Sequence, residues 1–157
     1  LRDQTPHDLH GRQVGIGTIL ACAAYERLLA LESPRFSNPE GSADRAYWGA
    51  LIDQVDAEFS QKQERLRVAG QALGRGDAWD RLRESLRPLV RSPEQIRTCL
   101  QRAGAACTAR DIGCSREQLT QALLHAREMR SRFSVFDLAA LAGMLPDAAE
   151  ELVEQWC

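Results

Sequence analysis

Residues 10–31, HGRQVGIGTILACAAYERLLAL, carry helical periodicity with Val14, Ile16, Ile19, Leu20, Ala23, Ala24, Leu28 and Leu31 spread widely around the axis. A surface helix of a globular protein needs only one apolar stripe. A helix that is apolar over most of its circumference must have neighbours on several sides. This stretch therefore predicts a central helix with other helices packed round it.

The remaining sequence supplies those neighbours. Residues 43–59 place Tyr47, Trp48, Leu51, Ile52 and Val55 on one face, and a more polar helix is predicted over 61–73, ended by Gly74 and Gly76. Asp77 suits an N-cap for a helix that buries Trp79, Leu82 and Leu86 and closes before Pro88. Capping boxes then punctuate the chain. Ser92 with Gln95 opens a helix carrying Ile96, Cys99 and Leu100, with Pro93 at its first position. Ser115 with Gln118 opens one over 116–130 that turns Leu119, Leu123 and Ala126 inward, and Ser134 with Asp137 opens another. Pro146 is expected to start a last helix reaching Trp156. Alternating strand patterns hardly occur and no linker divides the chain, so an all-α bundle of seven or eight helices in one domain, 1–157, is predicted.

Composition narrows the function classes. Twenty basic side chains against twenty-two acidic ones leave no field that would gather nucleic acid or an anionic membrane. Lys62 is the one lysine among the basic residues, an arginine bias read as coding composition. No apolar run approaches the roughly 20 residues of a membrane span, and no basic-then-apolar targeting segment opens the chain, so a cytoplasmic setting is expected. Cys22, Cys99, Cys107, Cys114 and Cys157 are an odd number without a C-x-x-C pair. They are expected to be reduced thiols, mostly small core fillers.

The opening of the first helix is unusual. Gly11, Gly15 and Gly17 each cost a helix roughly 0.5–1 kcal/mol relative to alanine. Gly11, Gly15 and Thr18 fall at i, i+4 and i+7, leaving a strip with little side-chain bulk beside His10. Two readings stay open on the residues alone: a cleft floor with a metal-binding histidine, or close helix packing beside a surface histidine. His7, three residues earlier, could chelate with His10, although Pro6 and Asp8 mark a turn there. GIGTIL lacks the third glycine and the preceding strand of a dinucleotide fingerprint, and no phosphate loop, H-E-x-x-H helix or G-x-S-x-G elbow occurs.

The stretch HDLHGRQVGIGTILACAAYERLL resembles the histidine-glycine helix of the sn-glycerol-1-phosphate dehydrogenases, relatives of glycerol dehydrogenase and 3-dehydroquinate synthase in the iron-type dehydrogenase superfamily. HAREMRSRFSVFDLAALAGML, residues 125–145, is similar to that family's R-x-R-[FY]-[ST]-V-x-D-L-A segment and follows at a suitable distance. The resemblance implies the C-terminal helical domain of a dehydroquinate synthase-like protein. NAD or NADP would be bound by an N-terminal α/β domain that precedes this chain, which lacks a methionine at Leu1 and reads as cut from something longer.

In that family an aspartate and two histidines hold a divalent metal, usually zinc. His10 matches the second histidine, the aspartate and first histidine would lie upstream, and no catalytic residue or cofactor-binding motif is assigned within the chain. Gly11, Gly15 and His125 would line the substrate cleft, and Arg127, Arg130 and Arg132 could meet a substrate phosphate or complement a helix C-terminus. Arg12 stands where many relatives carry an acidic residue, which changes the charge beside the cleft that the resemblance implies. The implied reaction is metal-assisted reduction of dihydroxyacetone phosphate, with this half inactive alone, its own N-terminal domain as partner and a homo-oligomer possible. The alternatives are a sugar-phosphate cyclase, a glycerol dehydrogenase domain, and a non-catalytic helical interaction module.

Overall fold

The structure, a computed structural model, describes residues 9–37 and 41–157. The predicted helices appear as α1 (His10–Ala30), α2 (Arg45–Trp48), α3 (Ile52–Ser60), α4 (Gln63–Leu73), α5 (Ala78–Leu86), α6 (Pro93–Arg102), α7 (Arg116–His125), α8 (Val135–Leu141) and α9 (Ala149–Trp156). Short 3-10 turns occupy Gly49–Leu51 and Ala109–Ile112, and no strand occurs among the described residues. The all-α bundle expected from the sequence is what forms.

α1 is the central helix. It packs against α6, α8 and α9, while α7 lies on α9. Ile16, Leu20, Ala23, Ala24 and Leu28 meet Leu123, Leu138, Ala139, Leu152 and Val153 in one core. Complete burial of each large aliphatic chain contributes about 1.5–3 kcal/mol relative to exposure. Two glycines let helices approach closely: a Cβ at Gly15 would lie 3.4 Å from both Leu100 methyls, and one at Gly70 would lie 3.3 Å from a Leu141 methyl.

The capping boxes at Ser92, Ser115 and Ser134 all form, each with both of its hydrogen bonds. A fourth, Thr108 with Asp111, caps the 3-10 turn at Ala109–Ile112 and was not read from the sequence. Elsewhere the elements depart from expectation for local reasons. Residues 43–59 are not one helix, because Gly49 takes φ +52° and breaks it into α2, a 3-10 turn and α3. Asp77 makes no capping bond and instead pairs with Arg81 at 3.4 Å. α7 stops at His125 rather than Arg130, and the last helix begins at Ala149 rather than Pro146.

The broken segment builds a second apolar cluster from Ala43, Trp48, Ile52, Val55 and Phe59, with Tyr47 and Leu51 against it. A buried ion pair joins the end of this segment to the main core. Lys62, 1% exposed, places Nζ 3.0 Å from Oδ1 of Asp137, which is fully enclosed, and also donates to the Arg127 carbonyl. Asp137 is satisfied further by the Ser134 backbone N–H and hydroxyl, each 2.9 Å from Oδ2. Burial pushes the Lys62 amine below its ordinary range, and the hydrogen bond and charge of Asp137 oppose that displacement.

Gly15 therefore reports on packing. Gly15→Leu should destabilise the fold by about 1–3 kcal/mol in denaturant unfolding, since the side chain must displace Leu100 and the Ala106 carbonyl. An unchanged unfolding midpoint would contradict the close α1–α6 contact.

Candidate functional site

His10 is the first residue of α1 and is exposed. Its neighbours on the helix surface are open as well. Gln13, Val14, Gly17 and Thr18 are exposed, a Cβ at Gly11 or Gly17 would meet no described residue within 4 Å, and Leu9 and Val14 stand 74% and 48% exposed. The opposite side of the same turns carries Gly15, Ile16, Ile19 and Leu20, all buried. The first two turns of α1 thus face the core on one side only, unlike the rest of the helix, and Val14 lies outside the core that its sequence position suggested. The Thr18 hydroxyl satisfies itself on the Val14 carbonyl at 2.8 Å, which keeps the strip smooth.

The glycines expected to line one cleft therefore separate. Gly11 lies on the open strip, whereas Gly15 is buried under Leu100 and does not reach an open surface. Arg12 is half-buried and donates to the Asp111 carbonyl, fastening the start of α1 to the capped turn after Thr108. Asp111 accepts from the backbone N–H groups of Cys107 and Thr108, both at 2.9 Å. Those backbone bonds, the Thr108 hydroxyl and the Arg12 charge hold its carboxyl below the usual carboxylate range. Arg12 thus has a structural role at the start of α1.

His125 belongs to a different place. Its ring stacks on Tyr47 with centroids 3.8 Å apart and planes 15° from parallel, and Nδ1 lies 3.1 Å from Oε1 of Glu128. Trp48 meets the same ring edge-on at 6.4 Å and donates its indole N–H to Glu128. No described contact brings His125 to His10. Arg127 lies over the Phe59 ring at 5.3 Å and 3.5 Å from Asp137, so it too serves the joint between the two apolar clusters. Arg130 and Arg132 are exposed and, with Glu58 and Ser131, border a hollow of about 430 Å³.

An apolar hollow of about 440 Å³ between α1, α4, α5 and α8 is lined by Tyr25, Leu73, Leu82, Leu86, Phe133 and Leu138. Tyr25 lies fifteen residues beyond His10 on one helix, about 22 Å along its axis. A triose-sized molecule cannot touch both ends. The Arg130–Arg132 turn runs directly into Phe133 of this hollow, which places those arginines toward the far end as well.

Among the described residues no group of three or more His, Cys, Asp or Glu side chains is arranged to hold a metal ion. His10 alone does not make a metal site, and the His7 chelation lies outside the described residues. Burial pushes the Cys157 thiol up to about 11 and raises Cys22 and Cys107 too, so these groups stay protonated at neutral pH and are poor ligands. Cys99 is exposed, Cys22, Cys114 and Cys157 are half-buried and only Cys107 is buried, so the expected role as core fillers applies mainly to Cys107. No described helix is long and apolar enough to cross a membrane. No family model, curated protein or solved structure matches the chain.

The polar joint was missed in the sequence. Its signals were present: Lys62 is the only lysine, and Asp137 interrupts the apolar run VFDLAAL. Neither one reveals its partner, because seventy-five residues separate them.

Asp111 gives a pH test. Its folded value is depressed, so its stabilisation is present above the ordinary value of 3.8 and is lost as pH falls toward the lowered one. Asp111→Asn should lower the melting temperature at neutral pH, and the gap from the parent protein should close in strongly acidic buffer. A gap independent of pH would contradict the assignment.

Proposed function

We propose that the chain is the helical, metal- and substrate-binding half of an NAD(P)-dependent sn-glycerol-1-phosphate dehydrogenase, with His10 as its one arm on a divalent metal such as zinc. The observation that supports this reading is the open strip at the head of the central helix: His10, Gly11, Val14 and Gly17 expose bare backbone and apolar surface, whereas most of the later residues of α1 are buried or half-buried. A second body can approach that strip closely, and a nucleotide-binding domain is the body that the sequence resemblance implies.

The described residues do not complete a metal centre, so the remaining ligands must come from outside them. Gly11 keeps its place at the cleft in this reading. Gly15 acts as a spacer against α6, and His125 serves the joint with Tyr47 and Glu128. A sugar-phosphate cyclase or a glycerol dehydrogenase would use the same strip, and substrate choice separates them.

The test uses the whole gene product, with any upstream sequence included. Reduction of dihydroxyacetone phosphate by NADH or NADPH is expected. His10→Ala should lose bound zinc and lower turnover by about 100-fold or more. Gly17→Leu should leave the melting temperature unchanged or higher, because no described residue occupies the space beside it, yet still lower turnover. Unaltered turnover in both variants would overturn the reading, and turnover of another substrate class would transfer it to a sister chemistry.

A further inference from the structure

Residues 43–60 are built differently from the rest of the molecule. α2, the 3-10 turn at Gly49–Leu51 and α3 pack chiefly on one another and enclose their own apolar cluster. Their backbone hydrogen bonds among the described residues are local. The described ties from this segment to the bundle converge on one turn, residues 125–131. Glu128 accepts from the Asp44 backbone N–H at 3.2 Å and from the Trp48 indole N–H through the same oxygen, while its other oxygen meets His125. Glu58 accepts from the Ser131 backbone N–H at 3.1 Å. Tyr47 stacks on His125, and Phe59 lies against the Arg127 guanidinium.

We infer that residues 43–60 form an arm that undocks from the bundle as one cooperative unit, with Glu128 as the clasp that holds it down. The described contacts that fasten the arm to the turn 125–131 are polar and aromatic, whereas the contacts inside it are apolar and continuous. Such an arrangement separates the free energy of local opening from that of global unfolding. The docked state also carries a built-in cost: Nη2 of Arg127, beneath Phe59, is buried without a hydrogen-bond partner among the described residues. Water would reach that donor when the arm lifts, which favours opening.

Two joints permit the motion. At one end the chain turns between α3 and α4 at Gln61 and Lys62, and the buried Lys62–Asp137 pair pins that turn to the bundle. At the other end the Gly41 carbonyl accepts a long bond, 3.4 Å, from the Gln63 side chain. Lifting the arm would uncover His125, Arg127 and the turn 125–131 without disturbing α1, α8 or α9. The fold thus contains a strap over a basic turn, released by the loss of one carboxylate.

Amide hydrogen exchange read by mass spectrometry tests this on the full chain. In the parent protein the amides of α2, the 3-10 turn and α3 should exchange as one correlated block, faster than those of α1, α8 and α9. Glu128→Gln removes the charge and should accelerate that block by about tenfold or more while the other helices keep their rates. Trp48→Phe, which deletes the indole donor and keeps an aromatic ring in the cluster, should move the same block in the same direction. Exchange of the arm at the rate of α1 in the parent protein would overturn the proposal. Equal acceleration of all helices in either variant would do so too.

Discussion

The Lys62–Asp137 pair is the constraint on which the arrangement of the chain depends. Both side chains are enclosed, and each is expensive to bury alone. They tolerate burial because the surrounding chain satisfies them: Lys62 donates to the carboxylate and to the Arg127 carbonyl, while Asp137 also accepts from Ser134. Asp137 is at the same time the third residue of α8 and closes the capping box that Ser134 opens. One carboxylate therefore caps a core helix, fixes the turn before it and anchors the segment that ends at α3. A hydrophobic pair of similar volume could fill that space, but it would not dictate which turn meets which helix.

α1 shows how one helix serves two environments. Beyond its second turn it is enclosed by α6, α8 and α9, and small residues such as Ala23 and Ala24 permit the close approach. Before that point its glycines divide the work. Gly15 admits Leu100, whereas Gly11 and Gly17 face open space and lower helix stability without any packing return within the described residues. Bare backbone beside an exposed imidazole is what a close-fitting second body would require, and the proposed dehydrogenase role rests on that asymmetry.

Much of the fold was legible because it is written locally. Helical periodicity and the boxes at Ser92, Ser115 and Ser134 are short-range signals, and each survived in the folded chain. The misses have physical causes. Gly49 breaks a periodic run by adopting a positive φ, and α7 ends early as the turn after His125 makes side-chain ties to Asp44, Trp48 and Glu58. The Thr108–Asp111 box escaped notice since it caps only a 3-10 turn. Of the candidate site residues, His10 and Gly11 lie on an exposed surface, whereas Gly15 packs against Leu100 and His125 stacks on Tyr47; helical spacing alone does not tell which side of a helix its neighbours cover.

The buried pair is tested most directly by a double-mutant cycle on Lys62→Met and Asp137→Asn, measured by denaturant unfolding. Each single change leaves an uncompensated buried polar group and should cost about 3–5 kcal/mol. The double variant removes both charges together and should lose clearly less than the sum. Strictly additive losses, or single variants as stable as the parent, would contradict the claim that this pair joins the two parts of the core.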